Sequence, residues 1–203
     1  MTIDSQADMV GMLRVGKVVG MTLQKMKDAL RPGMTTAELD AIGAAFLKSE
    51  GARSAPILTY KYPGSTCISI DDEAAHGIPG KRVIQIGELV NIDVSAELDG
   101  YFADTGATVP MLPVSGLKQK LAACAQTALE KGIAVATAGQ PIYEIGRAME
   151  AQARSCGFTT IRDLGTEGAG YADVGIKQAI QEGIVPGPRL IVTTRAIVAT
   201  GAY

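Results

Sequence analysis

The chain carries one histidine, His76, and no tryptophan in 203 residues. A single imidazole excludes histidine-rich metal centres and any mechanism that passes a proton between two imidazoles. Aromatic residues make up only 4% of the chain, too few for a platform on which single-stranded nucleic acid would stack. Charge of either sign is also scarce as a surplus. Lys and Arg number 19 against 21 Asp and Glu, a net charge of −2, which gives no footprint for nucleic acid or an anionic membrane. No apolar run approaches the roughly 20 residues a membrane span needs. The stretch MTIDSQADMVGML has early acidic residues and no uninterrupted apolar core, unlike a secretory leader. Cys67, Cys124 and Cys156 are odd in number, far apart and without metal-ligand spacing. They read as reduced thiols of a cytoplasmic protein.

What is present suffices for a large core, since 47% of the chain is hydrophobic. Residues 5 to 31 predict an amphipathic helix, with Met9, Met12, Leu13, Val15, Val19, Leu23, Met26 and Leu30 at helical spacing. Thr35 to Glu38 is a capping-box pattern opening a second helix that turns Leu39, Ile42, Ala45 and Phe46 inward. Strand-like pieces follow at Ala55 to Tyr60 and Thr66 to Ile70, then a Gly- and Pro-punctuated loop from His76 to Gly80. After the strands the pattern restarts, with helices over residues 116 to 137 and Pro141 to Cys156. At an offset of 106, Leu23, Lys25, Gly33, Glu38, Ala45 and Gly51 pair with Leu129, Lys131, Gly139, Glu144, Ala151 and Gly157. The implication is a duplicated helix–helix–sheet unit whose sheets pack together with the helices outside and a site between them. On this ruler the second unit extends past Tyr203, so its sheet is expected to be short and its exposed edge a dimerisation or aggregation liability. From Thr159 onward the pattern is strand, helix, strand.

Between the two repeats lies the stretch LVNIDVSAELDGYFADTGAT, from Leu89 to Thr108. Val90, Ile92 and Val94 alternate with Asn91, Asp93 and Ser95, the period of a strand with one buried face. Asp99-Gly100 is a turn dipeptide, so the second half can return as a hairpin. A hairpin centred between Leu98 and Asp99 sets Asp93 opposite Asp104, with Cβ atoms roughly 5 Å apart. Centring it on Asp99-Gly100 makes them diagonal neighbours, up to about 8 Å apart. Carboxylates that close repel, and a cation between them relieves the repulsion. Spacing alone leaves two readings open, a metal pair or two solvated strand-face aspartates.

Four segments together resemble the first half of the type I methionine aminopeptidases. They are Cys67-Ile68-Ser69-Ile70, His76-Gly77-Ile78-Pro79, Val90 to Val94, and Asp99 to Thr105. The likeness runs from about Met12 to Phe158. It implies an α/β (α+β) pita-bread fold built from a duplicated unit, and a pair of divalent metal ions (Co, Mn, Fe or Zn) that activate water to release an N-terminal methionine. By matching motif, Asp93 and Asp104 correspond to metal ligands and His76 to the catalytic histidine near the scissile peptide. Tyr62 and Cys67 fall where that family lines its methionine pocket. Hard carboxylate oxygens suit such ions. The family's three further ligands are a histidine in a Gly-His-Gly loop and two later glutamates. Here Glu167 stands where the histidine would be, and the glutamates have no counterpart before Tyr203.

Thr159 to Gly165, Ala172-Asp173, Gly187-Pro188-Arg189-Leu190 and Ala199-Thr200-Gly201 resemble an internal piece of the imidazolonepropionase-like amidohydrolases. None of that family's metal-binding histidines is present. The expected organisation is therefore an aminopeptidase-like part, residues 1–158, and an amidohydrolase-like strand–helix–strand fragment, residues 159–203. The expected function is metal-dependent removal of N-terminal methionine from a peptide or nascent chain, in the cytoplasm, by an incomplete ligand set that turns over weakly or not at all. The alternatives are a non-catalytic peptide binder or inert hybrid fold, and an amidohydrolase fragment.

Overall fold

A computed structural model of the chain describes residues 3–158, 160–163 and 169–194. Two units divide it, Met1–Ala122 and Ala123–Tyr203. In the first, Ser5 caps α1 (Gln6–Ala29) by accepting from the Asp8 amide at 3.1 Å. The expected capping box opens α2 (Thr36–Ser49), with Thr35 and Glu38 satisfying each other's backbone amides. Strand β3 (Leu89–Leu98) is the centre of an antiparallel sheet. It pairs with β1 (Arg53–Ser54) and β2 (Cys67–Ile70) on one side and β4 (Tyr101–Pro110) on the other.

Alternation along β3 decides which face is buried. Val90, Ile92, Val94 and Ala96 are fully buried and join Val15, Val19, Met26, Leu39 and Ile68 in the core. Each of these side chains larger than alanine contributes about 1.5–3 kcal/mol by leaving water. The opposite face therefore falls to Asn91, Asp93 and Ser95, and across the hairpin to Asp104, Gly106 and Thr108. Helical spacing overstates the inward stripe of both helices. Met9 and Leu13 are exposed because the first turns of α1 present them to solvent, and in α2 Gly43 and Leu47 are buried where Ala45 is not.

One expectation is overturned by local chemistry. Ala55 to Tyr60 is helix α3 (Ala55–Tyr60) rather than a strand. Ser54 caps it, Pro56 sits in its first turn, Thr59 Oγ1 bonds back to the Ala55 carbonyl at 2.8 Å, and Lys61 closes it at φ 54°. Six residues are too few for periodicity to separate the two conformations.

In the second unit, α4 (Gly116–Val135), which begins in the first, precedes α5 (Tyr143–Ser155). Their last residues stand 106 positions after those of α1 and α2. The four helix-terminating glycines of the repeat, Gly33, Gly51, Gly139 and Gly157, all have left-handed φ, between 75° and 88°. A complementary exchange supports the duplication further. A Cβ on Gly43 would meet Met26 Sδ at 2.6 Å, and one on Gly132 would meet Met149 Cγ at 3.1 Å. At the same offset Met26 aligns with Gly132 and Gly43 with Met149, so knob and hole have changed helices.

Two thiol readings change here. Cys124 on α4 and Cys156 at the end of α5 form a disulfide, leaving Cys67 as the free, buried cysteine. The expectation of three reduced thiols rested on sequence distance, and the antiparallel helix pair closes that distance to a Cα separation of 6.5 Å. Beyond α5 the chain forms the expected strand–helix–strand: β5 (Thr160–Arg162), α6 (Ala172–Gln181) and β6 (Arg189–Ile191), with β5 and β6 parallel. The buried Asp173 holds this piece by accepting from the Val174 and Thr194 amides. At the 106 offset, strand β2 falls on α6.

Candidate functional site

The observed hairpin turns on Asp99-Gly100, at φ 53° and 89°, and pairs Leu98 with Tyr101. Asp93 accordingly faces Gly106, Asp104 faces Ser95, and the two aspartates are diagonal neighbours on one face. Cys67 on β2 is the partner of Asp93 on its other side. A Cβ on Gly106 would come within 3.1 Å of the Ile92 carbonyl and 3.8 Å of Asp93 Cβ. The bare glycine thus keeps the backbone close and the space beside Asp93 open.

The two carboxyl groups interact across the diagonal. Burial pushes Asp93 up to about 6, with the charge and hydrogen bond of Asp104 adding to it and the charge of His76 opposing it. Burial likewise raises the Cys67 thiol, reinforced by the charges of Asp93, Asp104 and Asp40 and opposed by contact with Tyr62. Such a thiol stays protonated at neutral pH and is a wall rather than a nucleophile. The Tyr62 phenol is raised too, first by burial and then by Cys67 and the neighbouring carboxylates.

Tyr62 follows α3, and its hydroxyl donates to the Gly77 carbonyl at 2.7 Å. His76, exposed and at φ 55°, lies in the connection from β2 to β3. Two anchors flank His76 in this connection. Lys118 Nζ donates to Asp71 at 2.6 Å, and the Gly80 amide donates to Thr36 Oγ1 at 2.9 Å. The five residues expected from sequence are therefore gathered about β2 and the outer face of the hairpin.

Sequence reasoning missed the groups that support them. Asp40, projecting from α2, accepts from the Ser65 amide at 3.1 Å and from the Thr66 amide and hydroxyl at 2.7 Å each, fixing the segment from Tyr62 to Cys67. Ser69 accepts from the Gly77 amide at 3.0 Å. Asp40 belongs to no local motif, and Ser69, although it lies within the Cys67–Ile70 segment, meets Gly77 only through the fold.

Two carboxylates offer hard oxygen donors to one side of a divalent cation. Among the described residues, no group of three or more His, Cys, Asp or Glu side chains converges as a metal site. The donors fit part of a centre and not a complete one. Glu167, considered above as a substitute ligand, lies outside the described residues.

Residues 10–187 match the description of metallopeptidase family M24. The chain belongs to this family. The M24 match continues past residue 158, through α6. The chain is 42% identical over 171 residues to methionine aminopeptidase 2 of Bacillus subtilis, covering 84% of this chain and 69% of that protein. It is 38% identical over 213 residues to a methionine aminopeptidase of Staphylococcus epidermidis, covering 98% of this chain and 85% of that one. Among solved structures, methionine aminopeptidase from Rickettsia prowazekii superposes with a TM-score of 0.74 at 32% identity, over 81% of this chain and 66% of that chain. The α/β fold is that of a pita-bread unit with open sheets. Among the described residues, no helix is long and apolar enough to cross a membrane.

Proposed function

We propose that this M24 chain is a methionine aminopeptidase-like, metal-dependent hydrolase acting on the N-terminus of a peptide or nascent chain. Among the described residues its ligand set is incomplete, and turnover by the chain alone is weak. The observation that carries the reading is the diagonal Asp93–Asp104 pair, desolvated enough to raise Asp93 to about 6 and flanked by Cys67 and Gly106. Asp93 and Asp104 would hold the divalent ion (Co, Mn, Fe or Zn), which when bound supplies a nucleophilic water and polarises the carbonyl. His76 would donate to the carbonyl oxygen or the scissile amide as charge develops. Tyr62 and Cys67, both held uncharged by burial, would wall the apolar pocket of the methionine side chain. The type I assignment rests on the motifs around Cys67, His76, Asp93 and Asp104. A cytoplasmic location belongs to the same family reading, and the Cys124–Cys156 disulfide speaks against it.

For residues 159–203, the parallel β5–α6–β6 arrangement is what speaks for an amidohydrolase-like piece. The M24 match running to residue 187 speaks for aminopeptidase descent, and we favour the latter. A second functional reading is favoured by one observation, the absence of a third converging ligand among the described residues. In that reading the chain binds peptide N-termini without cleaving them. Hydrolysis of a methionyl peptide with Mn or Co, compared between this chain and Asp93→Ala, separates the two. Metal-dependent turnover lost in the variant supports the hydrolase. Peptide binding by calorimetry with no turnover in either protein sinks it.

A further inference from the structure

Both backbone polar groups of Gly77 are held. Its N–H donates to Ser69 Oγ at 3.0 Å, and its carbonyl accepts from the Ile68 amide at 2.9 Å and the Tyr62 hydroxyl at 2.7 Å. A Cβ at this position would run into the Ile68 carbonyl oxygen and the Ser69 backbone, so only glycine can lie this close to β2. The preceding residue is His76, whose left-handed φ of 55° a residue with a side chain avoids unless the surrounding structure imposes it. Its carbonyl stands 3.2 Å from the same Tyr62 hydroxyl. That hydroxyl has one proton for two carbonyls, and the shorter contact gives it to Gly77. Among the described residues no hydrogen bond reaches the imidazole itself. Its placement is therefore set by the backbone it hangs from.

We propose that the Ser69 and Tyr62 hydroxyls form a clamp on the Gly77 peptide that fixes His76 in its left-handed conformation, making both of them positioning residues for the imidazole. Ser69 is only 3% exposed, so its hydroxyl has no water to turn to in place of Gly77. Burial keeps the Tyr62 phenol protonated, hence a permanent donor. Tyr62 acts here through its oxygen, independently of any wall its ring provides. The catalytic consequence rests on the peptidase reading above. The conformational consequence does not.

The single histidine makes the test direct, because the chain has one imidazole Cε1–H resonance. Ser69→Ala and Tyr62→Phe remove one hydroxyl each and keep the strand and the ring, and α1 amide shifts verify that the fold is intact. In the full chain, Ser69→Ala should speed hydrogen exchange of the Gly77 amide at least tenfold. Both variants should move the His76 Cε1–H signal towards its position in an unstructured peptide and increase its nanosecond mobility, with the double variant adding less than the two singles together. Where wild type turns over a methionyl peptide with Mn, kcat should fall at least tenfold with KM changed less than about twofold, and Ser69→Thr should restore part of it. An imidazole signal and mobility unchanged in both variants overturns the clamp, as does a Gly77 exchange rate that Ser69→Ala leaves alone. If no protein, wild type included, hydrolyses peptide, the peptidase reading fails and the resonance measurements alone decide the clamp.

Discussion

Asp93→Asn isolates the cost of keeping a desolvated carboxylate beside Asp104. Asp93 ionises at about 6 in the folded chain against an ordinary 3.8. The folded state therefore holds a proton that the unfolded chain has released, and linkage fixes the sign. Stability is full below the unfolded value, falls as pH rises between 3.8 and about 6, and stays low above that. At about 1.36 kcal/mol per pKa unit the ceiling is roughly 3 kcal/mol. Solvent reaches the Asp104 side of the pair, and screening reduces this to about 1–2 kcal/mol. Asparagine keeps the size, cannot ionise, and can donate to the Asp104 carboxylate. At neutral pH, Asp93→Asn should thus be more stable than wild type by about 1–2 kcal/mol in urea unfolding. The gap should close as pH falls to the unfolded value. A variant less stable than wild type at neutral pH, or a gap independent of pH, would refute the argument from desolvation.

A cation between the carboxylates should remove the same penalty. Mn added at ten times its dissociation constant should stabilise wild type by about 1.4 kcal/mol and leave Asp93→Asn unshifted in thermal melts. Gly43→Ala forces a Cβ to within 2.6 Å of Met26 Sδ and should cost about 1–3 kcal/mol. In Met26→Ala/Gly43→Ala the two effects should fall short of additivity by at least 0.5 kcal/mol in a double-mutant cycle. Cys156→Ser opens a disulfide spanning 32 residues and should cost about 3–4 kcal/mol, while unreduced wild type unfolded in denaturant should show one titratable thiol.

Legibility followed how local each instruction is. The capping box at Thr35 and Glu38, the Asp99-Gly100 turn and the alternation along β3 are complete within a few residues, and all three stand in the structure. The hairpin register was open because turn residues one position apart give different pairings. Backbone geometry chose the one with both Asp99 and Gly100 left-handed, which made the aspartates diagonal. Helix α3 is hidden in the sequence because its start and stop are a serine cap and a left-handed lysine, signals that six residues of mixed composition do not advertise. The Cys124–Cys156 bond and the Asp40 and Ser69 contacts join residues 8 to 32 positions apart, through packing that no periodicity encodes.

The repeat and the site obey different constraints, and the Met–Gly exchange exposes the difference. A helix crossing needs one bulky and one vacant position, and either helix can supply either. Met26 over Gly43 and Met149 over Gly132 are equivalent solutions, so the helix pair tolerated divergence while its ends stayed in step at 106 residues. A carboxylate pair has no such freedom. Asp93 must face a residue without a side chain on one strand and a small uncharged one on the other, and Asp104 must lie one step along the diagonal. Among the described residues those conditions are met on the outer face of β2, β3 and β4, and α6 occupies the positions that would repeat β2. Duplication is thus legible in the helix pair, which tolerates the exchange, while the aspartate pair is bound to the register of the first unit's sheet.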